Sequence, residues 1–152
     1  MNWRKKMAHS RNRSGFTLIE LIVVIVVLGV LAGVALPVYF DHAASAKVSA
    51  CKGSLGGIRS GVANYYANEA IGGTAIFPTT AQLTAVGTVM QDNLPANPYN
   101  NLNTVKQTTT AADATNRVND STTGWYYYVN NATTPTTVEF WANSSTAGEN
   151  LF

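Results

Sequence analysis

The 152-residue chain has one cysteine, two histidines and few charges. With Cys51 alone, no internal disulfide can form, so a domain built from this chain must hold together by packing and hydrogen bonds alone, or with a metal. Cys51 reads as a small buried residue on a helix rather than a reactive thiol. His9 stands near the amino terminus and His42 is the single histidine after residue 15. No Ser/His/Asp, Cys/His or paired-carboxylate constellation forms around it, which argues against catalysis and predicts a protein that is not an enzyme. With no second histidine nearby, Asp41 and His42 read as a solvated pair rather than a metal site. Charged residues make up 12% of the chain and are unevenly placed. Arg4, Lys5, Lys6, Arg11 and Arg13 precede Gly15; beyond it stand Lys47, Lys52, Arg59, Lys106 and Arg117 against eight acidic side chains. The part after residue 15 is therefore mildly acidic, which argues against nucleic acid as a partner, since such surfaces cluster Lys and Arg.

What the chain does have is one long hydrophobic run, residues 16–36, preceded by Ser14 and Gly15 and closed by Pro37. As a helix it would span about 31 Å, the thickness of a bilayer's hydrocarbon core. It is longer than the core of a secretory signal, and no A-x-A-like cleavage site follows it. One charge, Glu20, interrupts it. A carboxylate in hydrocarbon costs about 2.5–3.5 kcal/mol or more, so it marks a functional residue in need of a partner. Gly29 and Gly33 form a G-x-x-x-G pair, a spacing that lets helix backbones approach closely. Pro37 removes the helix hydrogen bond to the carbonyl of Gly33 and loosens that turn.

The basic segment, Gly15, then Phe16-Thr17-Leu18-Ile19-Glu20 and the apolar helix closely resemble the prepilin signature of type IV pilins and type II secretion pseudopilins. The resemblance implies a leader, residues 1–15, cut off by a membrane-embedded prepilin peptidase between Gly15 and Phe16, with N-methylation of the new Phe16 terminus. It implies that Glu20 neutralises the amino terminus of a neighbouring subunit during assembly. It also implies that the helix around Gly29, Gly33 and Pro37 extends or melts in the filament. The positive-inside rule keeps the leader cytoplasmic and puts the rest across the inner membrane until assembly. The function implied is that of a structural subunit of a type IV pilus or type II secretion pseudopilus. Its partners would be identical or related pilin subunits, prepilin peptidase and the assembly platform, and it would end as an extracellular or periplasmic filament. The alternative is a minor tip pilin acting as an adhesin or as a DNA- or surface-binding module.

Beyond Pro37 the pattern becomes one-sided. Ala44, Val48, Cys51, Leu55, Ile58, Val62 and Tyr65 or Tyr66 recur at steps of three and four, predicting an amphipathic helix over residues 38–70, stopped by Gly72 and Gly73. Lys47, Ser49, Lys52, Arg59, Ser60 and Asn64 fall on its solvated side. Gly53, Gly56, Gly57 and Gly61 are costly in a helix and mark either close approach or flexibility. Residues 71–152 read as a globular head. Thr79 or Thr80 is placed to cap a short helix, and residues 94–101 form a turn-dense loop similar to the one preceding the sheet in major pseudopilins. Residues 124–129 and 137–142 are aromatic and β-branched and predict antiparallel strands, with a third, weaker strand within 103–110. Alternation sets Trp125, Tyr127 and Val129 against Tyr126 and Tyr128, and Val138, Phe140 and Ala142 against Glu139 and Trp141. One set faces the helix; the other is expected at subunit contacts, where Trp and Tyr are enriched. Such aromatics could instead bind glycans or stack bases. The fold expected is α+β and pilin-like, a long amino-terminal helix packed on a small antiparallel sheet. Asp113, Asn116, Asn119, Asp120 and Ser121 form an oxygen-rich loop where major pseudopilins bind calcium. No EF-hand spacing is present, so a solvated loop is the first expectation and no cofactor is required, with calcium as the alternative and Asp113, Asn116, Asp120 and Ser121 as its candidate ligands.

Overall fold

The computed structural model describes residues 15–133 and 135–152. The expected leader, with His9, lies outside these residues except for Gly15. The chain forms two compact units, Met1–Asp41 and His42–Phe152. One 54-residue helix, α1 (Leu18–Ile71), runs through the boundary and continues past Pro37.

In the first unit every described residue is exposed, including Leu, Ile and Val side chains throughout the apolar run. It is the one helix among the described residues that is long and apolar enough to cross a membrane.

The second unit packs a sheet on the one-sided part of α1. Cys51, Leu55, Ile58 and Val62, at steps of four, three and four, are its buried residues. Each Leu, Ile or Val so buried contributes about 1.5–3 kcal/mol. Val48, Tyr65 and Tyr66 are half-buried, but Ala44 is exposed, so the stripe starts later than its spacing implied. α1 stops where expected: the Gly72 amide reaches Asn68 O at 3.3 Å, and Gly73 turns to a φ of 89°. Of the four glycines in this half, Gly61 has a packing reason. A Cβ there would lie 2.7 Å from Met90 Sδ and 3.1 Å from Val89 O, whereas Gly53, Gly56 and Gly57 face open space.

Thr79 caps α2 (Thr80–Thr84) in a reciprocal box with Gln82. Strands β1 (Val105–Thr108), β2 (Trp125–Asn130) and β3 (Thr137–Ala142) lie in that order in one sheet. β2 and β3 pair antiparallel, with Tyr126 opposite Trp141 and Tyr127 opposite Phe140. β1 pairs parallel with β2, Val105 opposite Trp125, so the sheet is mixed. A parallel neighbour needs a crossover, and here it carries the short helix α3 (Ala111–Asn116).

That crossover corrects the expectation for the outer aromatics. The inner set, Trp125, Tyr127, Phe140 and Ala142, joins the α1 stripe, Leu83 and Leu94 in the main core. Tyr126, Tyr128 and Trp141 are not left for subunit contacts, glycans or bases; they are buried with Ala114 of α3. Tyr126 and Trp141 stack at 5.2 Å, and the Trp141 indole donates to Val118 O at 2.8 Å. The Arg117 guanidinium lies over the Trp141 ring and pairs with Glu139 at 2.8 Å. The fold is thus α+β and pilin-like: a long helix with an apolar stretch, followed by a small three-stranded sheet.

Candidate functional site

The candidate site is the start of α1. Thr17 is the last residue before the helix and Glu20 lies in its first turn. Four amide groups at a helix start lack internal partners, and a Thr followed three residues later by Glu satisfies two of them. Both halves of that box are present. The Thr17 amide and hydroxyl each donate to Glu20 Oε2 at 2.8 Å, and the Glu20 amide donates to Thr17 Oγ1 at 3.3 Å. All three bonds are exposed, and both Thr17 donors converge on one carboxylate oxygen. Oε1 accepts no hydrogen bond among the described residues. The negative charge also sits at the favourable end of the helix dipole. Thr17 is the contributor that sequence reasoning passed over; the T-x-x-E spacing was its signal.

Phe16 is 85% exposed, and Gly15 has open space where a side chain would project. With Ile19, Glu20, Val23 and Val24, Phe16 lines an open, almost wholly apolar hollow of about 360 Å³. Gly29 and Gly33 likewise meet nothing within 4 Å, which leaves their helix face clear for another backbone. Pro37 stays within the helix. Phe16 and Glu20 thus line one hollow with Gly15 just before it in the chain, while Gly29, Gly33 and Pro37 lie further along α1.

The residues of the oxygen-rich loop differ in their surroundings. Asp113 lies in α3 and accepts from Thr108 Oγ1 at 2.7 Å; Asn116 ends α3 with an exposed side chain. Ser121 has a φ of 57°, and its amide donates to Asn143 Oδ1. Asp120 pairs with Lys106, and its carboxyl is held far below the usual carboxylate range by that bond and by those from Asn143 and Thr122. Among the described residues, no three His, Cys, Asp or Glu side chains are placed to hold a metal ion.

Several polar side chains shape the head without a sequence signal. Buried Asn97 donates to Gly124 O at 2.9 Å and Ser144 Oγ at 3.0 Å, which fixes the 94–101 loop. Arg59, expected on the solvated side, turns to the sheet. It donates to Phe140 O at 3.2 and 2.7 Å and to Phe152 O at 2.8 Å, covering the outer edge of β3. Glu149 is fully buried and accepts from the amides of Thr146 at 3.1 Å and Ala147 at 2.7 Å. Burial pushes its carboxyl up, and these bonds with one to Ser144 outweigh it, leaving the group below its ordinary value.

An exposed apolar helix opened by a capped carboxylate, ahead of a helix-on-sheet unit, defines the pilin-like class. The comparisons with known proteins agree. The prokaryotic N-terminal methylation motif matches residues 10–36. The chain is similar to fimbrial protein EcpC of Eikenella corrodens, 41% identical over 39% of this chain and 39% of that protein. It is similar to the type IV major pilin protein PilE of Neisseria gonorrhoeae, 49% identical over 39% of this chain and 35% of that protein. A fimbrial protein of Neisseria meningitidis serogroup B is 49% identical over 38% of this chain and 34% of its own length. The aligned part of the chain thus spans little more than a third of the length of the curated relatives it matches. No solved structure matches the chain. The resemblance read from residues 14–37 is therefore shared with a motif family and with curated pilins and fimbrial proteins.

Proposed function

We propose that the chain is a structural subunit of a type IV pilus or type II secretion pseudopilus filament, anchored in the inner membrane by residues 16–37 and then assembled through that segment. The observation that carries this reading is the coincidence of the methylation motif with an exposed apolar stretch whose one carboxylate, Glu20, has an oxygen without a partner among the described residues. A carboxylate in hydrocarbon must find a cation, and the amino terminus of a neighbouring copy, freed by cleavage between Gly15 and Phe16, is a cation of the right kind. Heterologous contacts of this type do not close and so build a helical filament. Gly29 and Gly33 allow neighbouring helices to approach, and Pro37 eases a change of helix geometry on leaving the lipid. The implied partners are other pilin subunits, prepilin peptidase and the assembly platform, with the leader on the cytoplasmic side.

Mass spectrometry of protein sheared from cells tests the processing. The expected amino terminus is Phe16 with an added methyl group; an intact Met1 would overturn the reading. Glu20→Ala tests assembly: cleavage should persist while filaments disappear from the sheared fraction, and normal filaments would refute the role given to Glu20. Intact filaments in cells that lose attachment when this chain alone is deleted would instead identify a tip adhesin.

A further inference from the structure

The loop 117–123 of the head is the feature that the assembly segment does not explain. Calcium is the alternative that the likeness in position to major pseudopilins raises there, and the residues fit it poorly. Calcium takes six to eight oxygen ligands, mostly carboxylates and carbonyls. Asp120 already takes four donors, three of them on one oxygen. Its Oδ1 accepts from Asn143 Nδ2 at 2.8 Å, from Thr122 Oγ1 at 2.8 Å and from the Thr122 amide at 3.1 Å, while its Oδ2 holds the Lys106 ammonium. Asp113, the other carboxylate of the stretch, is committed to Thr108. Asn143, fully buried, faces the loop with both ends of its amide; its Oδ1 accepts from the amides of Asp120 and Ser121, and its Nδ2 also donates to Thr123 Oγ1 at 2.7 Å. The Lys106 ammonium already sits on the Asp120 carboxylate and would repel a divalent ion brought to it.

We propose that Lys106 is the built-in cation of this loop: its ammonium, carried on β1, closes residues 117–123 onto the sheet and makes the head independent of divalent metal. The register supports it. Lys106 lies opposite Tyr126 on β2, and its ammonium sits 5.6 Å from the Tyr126 ring centre, so the side chain crosses the outer face of the sheet toward Asp120. β1 and β2 are joined by the very connection that contains α3 and this loop, so one Lys–Asp bond closes the crossover on itself. The surface position of the pair limits its own strength. Its leverage comes from the bonds to Asn143 and Thr122 that depend on Asp120 staying in place. The inference concerns the head alone and stands whether or not the chain assembles as proposed above.

The test is thermal melting of the full chain in detergent micelles, followed by near-ultraviolet circular dichroism of the buried tryptophans. The native protein should melt at the same temperature in excess chelator and in millimolar calcium. Lys106→Met should lower the midpoint by about 1–4 °C, and Lys106→Arg, which keeps the charge, should retain most of it. Asp120→Asn should cost a similar amount, and combining it with Lys106→Met should add little, because both remove one interaction. A native midpoint that rises with calcium would overturn the proposal. So would full additivity of the two substitutions, or a Lys106→Arg protein that melts as low as Lys106→Met.

Discussion

Replacing Gly124 by alanine should do more damage to this protein than any other addition of a single methyl group to one of its glycines. The added Cβ would stand 1.9 Å from Leu102 O and 2.6 Å from Leu102 C. Both are backbone atoms, so no side-chain rotation relieves the clash, and the 102–103 segment must retreat by more than an ångström. That segment cannot retreat freely. The Gly124 amide donates to Thr104 O at 3.0 Å, and its carbonyl accepts from the Asn143 amide at 3.0 Å and from Asn97 Nδ2 at 2.9 Å. Asn97 and Asn143 are both fully buried. Overpacking costs about 1–3 kcal/mol, and stranding a buried amide costs about 1–3 kcal/mol more. The expected loss is about 2–6 kcal/mol, a large share of the 5–15 kcal/mol that holds a typical domain together. Urea unfolding in a mild detergent, followed by tryptophan fluorescence, measures it as a shift of midpoint at unchanged slope. Gly56→Ala is the control. It adds the same methyl group inside α1, where nothing lies within 4 Å, and should stabilise the subunit by up to about 1 kcal/mol. Equal midpoints for native and Gly124→Ala protein would refute the close-approach argument, as would a Gly56→Ala loss matching that of Gly124→Ala.

Cys51 should resist alkylation at pH 8 in the folded protein and react fully in denaturant. It is fully buried, and its thiol is pushed up to about 11, by burial first and then by the charge of Glu149, with Arg59 opposing; labelling at the rate of a free thiol would show the stripe to be open. Glu149 predicts the acid response. Its folded value lies below its ordinary 4.5, so its contribution is fully present above that pH and is lost as pH falls through the folded value. Melting temperature should therefore decline below about pH 4.5, and Glu149→Gln should flatten that decline while lowering the plateau. An unchanged acid slope in Glu149→Gln would place the lost stability elsewhere, with Asp120 the next carboxylate to test.

The long helix was readable because its two halves follow simple rules, an unbroken apolar run and then a stripe at steps of three and four. Val62 and Leu55 lie where that stripe puts them, as do the α2 cap at Thr79 and the β2–β3 pairing. These are local signals. The parallel β1–β2 pairing was not readable, because Val105–Thr108 carries too few apolar residues to reveal either its direction or its neighbour. Missing that crossover hid the role of α3, and so Tyr126, Tyr128 and Trp141 looked available when they are covered. Arg59 was misplaced for a related reason: periodicity assigns a face, but a long side chain at the border of the stripe can cross to a strand edge. At the amino terminus the order reverses. The motif around Gly15 and Glu20 was legible in the letters, whereas the coordinates add Thr17 and the sharing of one carboxylate oxygen.

The two units obey opposite rules for the same residue types, and that contrast bears on the proposed function. Among the described residues, the buried hydrophobic cluster of the head comes from residues 51–142, with Phe152 packed against it and Trp125, Tyr127 and Phe140 closed over four side chains of α1. Residues 16–36 are exposed throughout, their apolar side chains included. In the proposed function such a helix lies in lipid before assembly and against other copies of itself after it. The transfer then rests on the balance at Glu20. In lipid its carboxylate has Thr17 alone among the described residues; in a filament its second oxygen can take an ammonium in a low dielectric, where such a pair is strongest. On this reading Glu20 favours the assembled state by being poorly satisfied before it, and a neutral residue there removes the difference without disturbing the head.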